Sequence, residues 1–433
     1  MSALAVALAA ELFPEASGEL TVGGIPASRL AAEHGTPLYV YDAGILRGRF
    51  AALRGALPDP MEVHYSVKAN PNPAVIRCLV AEGAGCEIAS AAEYLRARAA
   101  GCSPARIVFA GPAKGEAELE LVVREGIGEI HVESGEEIAT LAAIAAALGK
   151  DVDVAVRVNP APEAAGGAMQ MGGRATAFGF DEEGLLEVAL AILGAGRLRL
   201  RGVHVFAGTQ ILDAGVLLHQ WRHAIAISAR LAAATGERIR TVDLGGGLGI
   251  PYFPRDPELD LEALRSGAAA LVAALPPALA GVRLLVEPGR FLAGPAGVYL
   301  ARVRAVKRSR GATFVVLDGG MNHHLAASGN LGQVLKRDYP IVNASRPSAP
   351  PALRARVCGP LCTPLDTLGR EVLLPETRPG DLIAVLQSGA YGLSASPVGF
   401  LSHPTPAEVL VDRGDALRVR ERGTFAHPCA PLP

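Results

Sequence analysis

The stretch Met61-Glu62-Val63-His64-Tyr65-Ser66-Val67-Lys68-Ala69-Asn70-Pro71-Asn72-Pro73 joins a run of strand character to a proline-punctuated turn. Side chains alternate along a strand, so Glu62, His64, Ser66 and Lys68 are expected on one face and Met61, Val63, Tyr65 and Val67 on the other. Lys68 comes last, where the prolines end the strand. Similar short runs recur outward from this one, at residues 38–41, 85–88, 106–110, 129–132, 152–158, 202–207, 241–244 and 283–286. Alanine-rich helical stretches lie between them, among them 91–100, 116–125, 135–148, 182–193 and 217–235. Repeated βα units over about 250 residues predict a parallel (β/α)8 TIM-like barrel, here spanning 37–292. A doubly wound open sheet is the competing arrangement.

After residue 293 glycine and proline become denser, and short runs appear at 298–306, 313–317, 354–357, 382–386 and 407–411. A β-rich C-terminal domain over 293–433 is expected. Residues 1–36, with a short strand at 20–22, are expected to pack with that domain. At 433 residues two domains are the prior. A net charge of −2 gives no electrostatic footprint for nucleic acid or an acidic membrane. Residues 1–14 lack the basic start of a signal peptide, and the longest uncharged apolar stretch, 266–282, is broken by Pro276 and Pro277. A cytoplasmic protein is expected. Six cysteines show no Cys-x-x-Cys pair, so neither a disulfide framework nor a metal site is expected.

Of 41 basic residues only five are lysines, at 68, 114, 150, 307 and 336. A guanidinium stays protonated, whereas a desolvated lysine amine can lose its proton and attack a carbonyl. Lys68 at a strand end therefore suits an aldehyde cofactor, pyridoxal phosphate (PLP) being the commonest. A lysine snorkelling from a strand end is the plainer reading. Other motifs hold the same position: Arg157-Val158-Asn159-Pro160, His204 through Gln210, Asp243 through Gly249, and Glu287-Pro288-Gly289-Arg290. The Gly245–Gly249 run suits a loop whose bare amides cradle a phosphate, with a plain glycine turn as the alternative. Glu287 could pair with a protonated pyridine nitrogen or merely with Arg290. Thr209 and Tyr391 offer hydroxyls suited to a phosphate.

Tyr65 through Asn70, Gly245–Gly247, Glu287–Arg290, Asp318 through Asn322, Gly359 through Cys362 and Gly389 through Gly392 together resemble the fold-type III PLP decarboxylases. That family contains the diaminopimelate, ornithine and arginine decarboxylases. The resemblance implies an alanine-racemase-like barrel plus a β domain, paired as a homodimer with a shared active site. It implies that Lys68 carries PLP, that Gly246, Gly247, Gly289, Arg290, Thr209 and Tyr391 hold the phosphate, and that Glu287 binds the pyridine nitrogen. Cys362, from the partner subunit, would protonate the product carbanion.

Departures bear on the substrate. Where relatives stack a histidine on the cofactor ring this chain has Phe206, with His204 two residues earlier. After Cys362 the diaminopimelate enzymes carry Glu and the ornithine enzymes Asp; this chain has Thr363. The Arg-Pro-x-x-Tyr stretch that clamps a carboxylate is replaced by 323–328, and Arg157, Asn322, His323, Thr363 and Asp366 stand as the candidate substrate contacts. The tail resembles a smaller branch that includes a butirosin-type glutamyl-carrier-protein decarboxylase and exosortase-associated decarboxylases. An amino acid held on a carrier protein, or another secondary-metabolite amino acid, is the substrate this implies. Diaminopimelate decarboxylase, a racemase, a non-catalytic PLP-binding protein and an aldol-type barrel remain as alternatives.

Overall fold

The computed structural model describes residues 3–161, 169–170, 175–206, 208–331 and 336–424. Contacts divide the chain into two units, 47–250 with 257–292, and 1–46 with 251–256 and 293–433.

The first unit is built on eight parallel strands: β1 Met61–Ser66, β2 Gly85–Ile88, β3 Ile107–Phe109, β4 Glu129–Val132, β5 Val152–Asn159, β6 Leu198–Val205, β7 Thr241–Asp243 and β8 Arg283–Val286. Each pairs with its successor, and Leu284 of β8 pairs with Met61 of β1, so the sheet closes on itself. Closure excludes the open doubly wound sheet, which would leave two edges. Helices alternate with the strands: α1 Pro73–Ala81, α2 Ala91–Ala99, α3 Glu116–Glu125, α4 Gly135–Leu148, α5 Leu185–Gly194, α6 Ala214–Thr235 and α7 Leu261–Ala273. Side-chain caps fix the starts of five of them, while α3 and α5 begin at glycines. Asn72 accepts from Ala74 N with Pro73 in the first turn, Ser90 and Ser134 accept from the amides of Glu93 and Glu137, and Asp213 and Asp260 cap α6 and α7. Each strand end thus passes through a short loop into a helix, which places the loops that can carry chemistry at one mouth.

The second unit centres on the 13-residue strand Gly297–Ser309. It pairs antiparallel with Ala312–Leu317, Leu382–Val385 and Leu38–Asp42. The run at 38–41, read from the sequence among the barrel's strands, is therefore not a stave. It lies between Gly297–Ser309 and Ala407–Asp412. All five of its residues are buried, and a strand buried on both faces looks the same in either sheet. Strands Ile341–Asn343, Thr367–Leu374 and Asp415–Arg420 were not distinguished in the sequence. Leu8, Phe13, Leu20, Val22 and Leu30 pack with Leu38, Val40, Val298, Leu300 and Val409 in one apolar cluster. Among the described residues no helix is long and apolar enough to cross a membrane.

Candidate active site

The strand ends two residues short of Lys68, which its alternation had placed on it. β1 stops at Ser66, and Val67–Ala69 form a 3-10 turn. The Tyr65 hydroxyl donates to the Asn70 carbonyl at 3.0 Å, and the Asn70 side chain accepts from Asn72 N at 3.1 Å, which fixes the turn. The Lys68 side chain is 42% exposed, and Nζ donates to the Glu87 carboxylate at 3.0 and 3.1 Å. Glu87 is buried at the end region of β2 and also accepts from Ser66 Oγ. The Phe206 ring centroid is 5.8 Å from Lys68 Nζ.

Lys114 makes the contrast. Its side chain is 1% exposed, and Nζ donates to the carbonyls of Gly111 and His131 and to Glu137 at 2.8, 2.6 and 2.7 Å. Three acceptors use all three ammonium protons. Of these two lysines, Lys68 is the one left accessible at its Nζ, and Lys114 is enclosed by its acceptors.

The strand-end motifs stand side by side. Arg157, His204 and Asp243 are register partners across β5, β6 and β7; Glu287 follows β8, and Lys68 follows β1. Arg157 pairs with Glu133 at 2.8 Å, and Glu133 also accepts from the amides of Gly111 and Gly179 at 2.6 and 3.2 Å. Burial works to raise the Glu133 carboxyl, but the Arg157 guanidinium outweighs it and holds it below its ordinary range.

Beyond β7 the chain enters the glycine loop. Gly245 and Gly247 have φ of +70° and +89°, a region costly for residues with a side chain. A Cβ at Gly246 would lie 2.3 Å from the Glu287 carbonyl oxygen, and one at Gly247 would lie 2.7 Å from that of Gly208. Asp243 accepts from Gly245 N and the Gly245 carbonyl from Glu287 N, both at 2.9 Å. Ile211 N donates to the Gly247 carbonyl at 2.9 Å, so Gly208–Thr209 runs beside the loop. Phe206 borders it too, 3.2 Å from a Cβ built at Gly245. Gly289 presses on the lysine turn, where a Cβ would lie 2.8 Å from that of Ala69, and Arg290 opens the short helix Arg290–Ala293.

Glu287 is buried, and its Oε1 has no hydrogen-bond partner. Oε2 lies 3.5 Å from His204 Nε2. Burial pushes the His204 imidazole down to about 4, so it is neutral at pH 7. Burial works to raise Glu287 and a charged His204 would lower it; with His204 neutral at pH 7, the Lys68 ammonium is the charge that favours the anion.

In the other unit the loops at 320–323 and 359–363 meet on Asp366, whose carboxylate accepts from Met321 N at 2.7 Å and Leu361 N at 2.8 Å. Asn322 and His323 are buried side by side, Nδ2 to Nε2 at 3.1 Å. Burial takes the His323 and His324 imidazoles to about 4 and about 3. Cys362 is an exposed free thiol, and the Thr363 hydroxyl accepts from Leu365 N at 3.3 Å. Tyr391 sits at φ +53°, two residues after Gly389, where a Cβ would lie 1.8 Å from the Ala293 carbonyl oxygen.

Sequence reasoning missed Glu87, Glu133 and His131. Each is a charged or polar residue at the end of an apolar strand run, Gly85–Ile88 or Glu129–Val132, and that placement was the available signal. A cavity of about 560 Å³ lined by Gln210, Asp213, Val216, Pro257 and Asp260 lies in the barrel unit, and none of the candidate residues is in its wall.

The barrel residues fit PLP. An orphaned carboxylate oxygen on Glu287 suits a ring N–H, the glycine loop admits no Cβ where backbone amides gather, and Lys68 supplies an amine. Comparison with known proteins agrees. Residues 44–294 match the pyridoxal-binding domain of the pyridoxal-dependent decarboxylases. The chain is 37% identical over 393 residues to an L-glutamyl-[BtrI acyl-carrier protein] decarboxylase from Niallia circulans, covering 90% of this chain and 92% of that one. It is 34% identical over 412 residues to the diaminopimelate decarboxylase of Zymomonas mobilis, covering 94% of each. The crystal structure of the M. jannaschii diaminopimelate decarboxylase with L-lysine superposes with a TM-score of 0.88 at 26% identity, over 96% of both chains.

Proposed function

This chain belongs to the fold-type III pyridoxal-dependent decarboxylases, and on that premise we propose that its substrate is an amino acid held on a carrier protein, or another secondary-metabolite amino acid, rather than free diaminopimelate. Bound PLP supplies the sink for the electron pair left when the α-carboxylate departs as CO2. Lys68 is the covalent anchor, and Glu87 holds its amine at the mouth. Gly246, Gly247, Gly289, Arg290 and Thr209 take the phosphate, and Tyr391 stays a candidate for it by family resemblance alone. Glu287 keeps a proton on the ring nitrogen. Phe206 offers the apolar face for the ring, because it borders the glycine loop and Lys68, while His204 is turned to Glu287. Arg157 in the barrel unit, and Asn322, His323, Thr363 and Asp366 in the other, stay as candidate substrate contacts. By family resemblance Cys362 of a second copy returns the proton to Cα.

The substrate reading is carried by Thr363 and the segment after Asn322. Thr363 is neutral and accepts from a local amide. A distal ammonium desolvated there without a carboxylate would lose about 3 kcal/mol or more, over a hundredfold in binding. Residues 323–328 contain no arginine, and the imidazoles of His323 and His324 are held neutral by burial, so the segment itself offers no cation to a distal carboxylate. The relative from Niallia circulans supports a glutamyl group on an acyl-carrier protein.

The test is CO2 release from a panel of free glutamate, glutamyl-carrier protein, diaminopimelate, ornithine and arginine. Turnover confined to the carrier-bound substrate is expected. Robust release from diaminopimelate would sink the substrate reading.

A further inference from the structure

Beneath Glu287 lies a second carboxylate that the proposed chemistry leaves without a task. Asp243 ends β7 and is fully buried. One of its oxygens accepts from Gly245 N at 2.9 Å; the other, Oδ2, has no hydrogen-bond partner and lies 4.0 Å from His131 Nε2. Donor atoms of His131, His204, Asp243 and Glu287 all fall within 4.8 Å of one another. Two buried carboxylates that close cannot both be charged without a cation between them, so a single proton shared by the pair is the cheaper state.

The surroundings decide which acid keeps it. Glu287 faces the His204 ring and the Lys68 ammonium. Asp243 faces the anions Glu287 and Glu87, with one backbone amide in compensation. His131 is already engaged by Glu129 at 3.2 Å and lies tilted against His204 with ring centroids 4.6 Å apart. Arg157, across the register from His204, pairs with Glu133. Burial and the Glu287 charge both push the Asp243 carboxyl well up.

We propose that Asp243 is a neutral acid and a positioning residue, donating its proton to Glu287 so that Glu287 alone presents the negative charge to the cofactor's ring nitrogen. This rests on the PLP reading above. It assigns Asp243 a role opposite to that of an ordinary aspartate: an amide, which also accepts on one side and donates on the other, can replace it.

The experiment compares wild type, Asp243→Asn, Asp243→Leu and Glu287→Gln. Cofactor affinity is read from the absorption of bound PLP, and carboxyl protonation from infrared difference spectra of the cofactor-free proteins. Asp243→Leu leaves Glu287 without its donor and is expected to weaken PLP binding about 30-fold or more. Asp243→Asn is expected to restore most of that loss. A protonated-carboxyl stretch is expected in wild type and in Glu287→Gln, and absent from Asp243→Asn. Binding by Asp243→Asn as poor as by Asp243→Leu would overturn the proposal. So would a carboxyl stretch that survives in Asp243→Asn, or stoichiometric Zn2+ binding by wild type that the Asn variant loses. Should Asp243→Leu fail to fold, the infrared band decides. Failure of wild type to bind PLP would instead defeat the cofactor reading, leaving the shared proton to be read from the infrared band alone.

Discussion

Lys68 and Lys114 are chemically identical side chains on loops of the same barrel, and their surroundings separate them. Lys68 is 42% exposed with its ammonium on the Glu87 carboxylate, whereas Lys114 is 1% exposed with three acceptors around its ammonium. Lys68→Ala is therefore expected to abolish the absorption band of covalently held cofactor while leaving the fold intact. Lys114→Met should retain that band but strand Glu137 in the interior, lowering unfolding free energy in denaturant by about 3 kcal/mol. A surviving band in Lys68→Ala would move the anchor elsewhere. The scarcity of lysine and the proline turn made Lys68 legible. Nothing in the sequence around Lys114 separates a strut from a nucleophile, because the carbonyl of His131 and the carboxylate of Glu137 reach it only through the fold.

Among elements, the loop between β7 and α7 shows how closely a backbone can be held. Gly246 faces the carbonyl of Glu287 so tightly that a methyl group must displace either the loop or the end of β8. Gly246→Ala is expected to weaken PLP binding about tenfold or more, since overpacking against backbone costs about 1–3 kcal/mol. Gly48→Ala is the control: nothing lies within 4 Å of its Cβ, and the residue sits in the helix Ala43–Ala56, where Ala is preferred. Cofactor titration separates the two, and unimpaired binding by Gly246→Ala would overturn the cradle. The glycine spacing and the strand-turn-helix rhythm were readable because they are local. The strand Leu38–Asp42 was misplaced because its five buried residues satisfy either sheet.

For the molecule as a whole, the proposed cofactor-binding residues lie in the barrel unit, except Tyr391, which lies in the other unit with the exposed thiol Cys362. If a second copy supplies that thiol, Lys68→Ala and Cys362→Ala proteins should each be nearly inactive alone. Mixed and allowed to exchange subunits, they should recover about one quarter of wild-type activity, as half the dimers then hold one complete site of two. No recovery despite proven exchange would place Cys362 outside the shared site. The sequence by itself determined the βα rhythm, the glycine loop and the lysine at a strand end, because propensity, turn chemistry and alternation act over a few residues. Only the tertiary structure decided that Arg157, His204, Asp243 and Glu287 stand at the ends of adjacent strands, and that Glu87 and Glu133 meet Lys68 and Arg157. Barrel closure brings together residues far apart along the chain, and burial then makes their charges depend on one another.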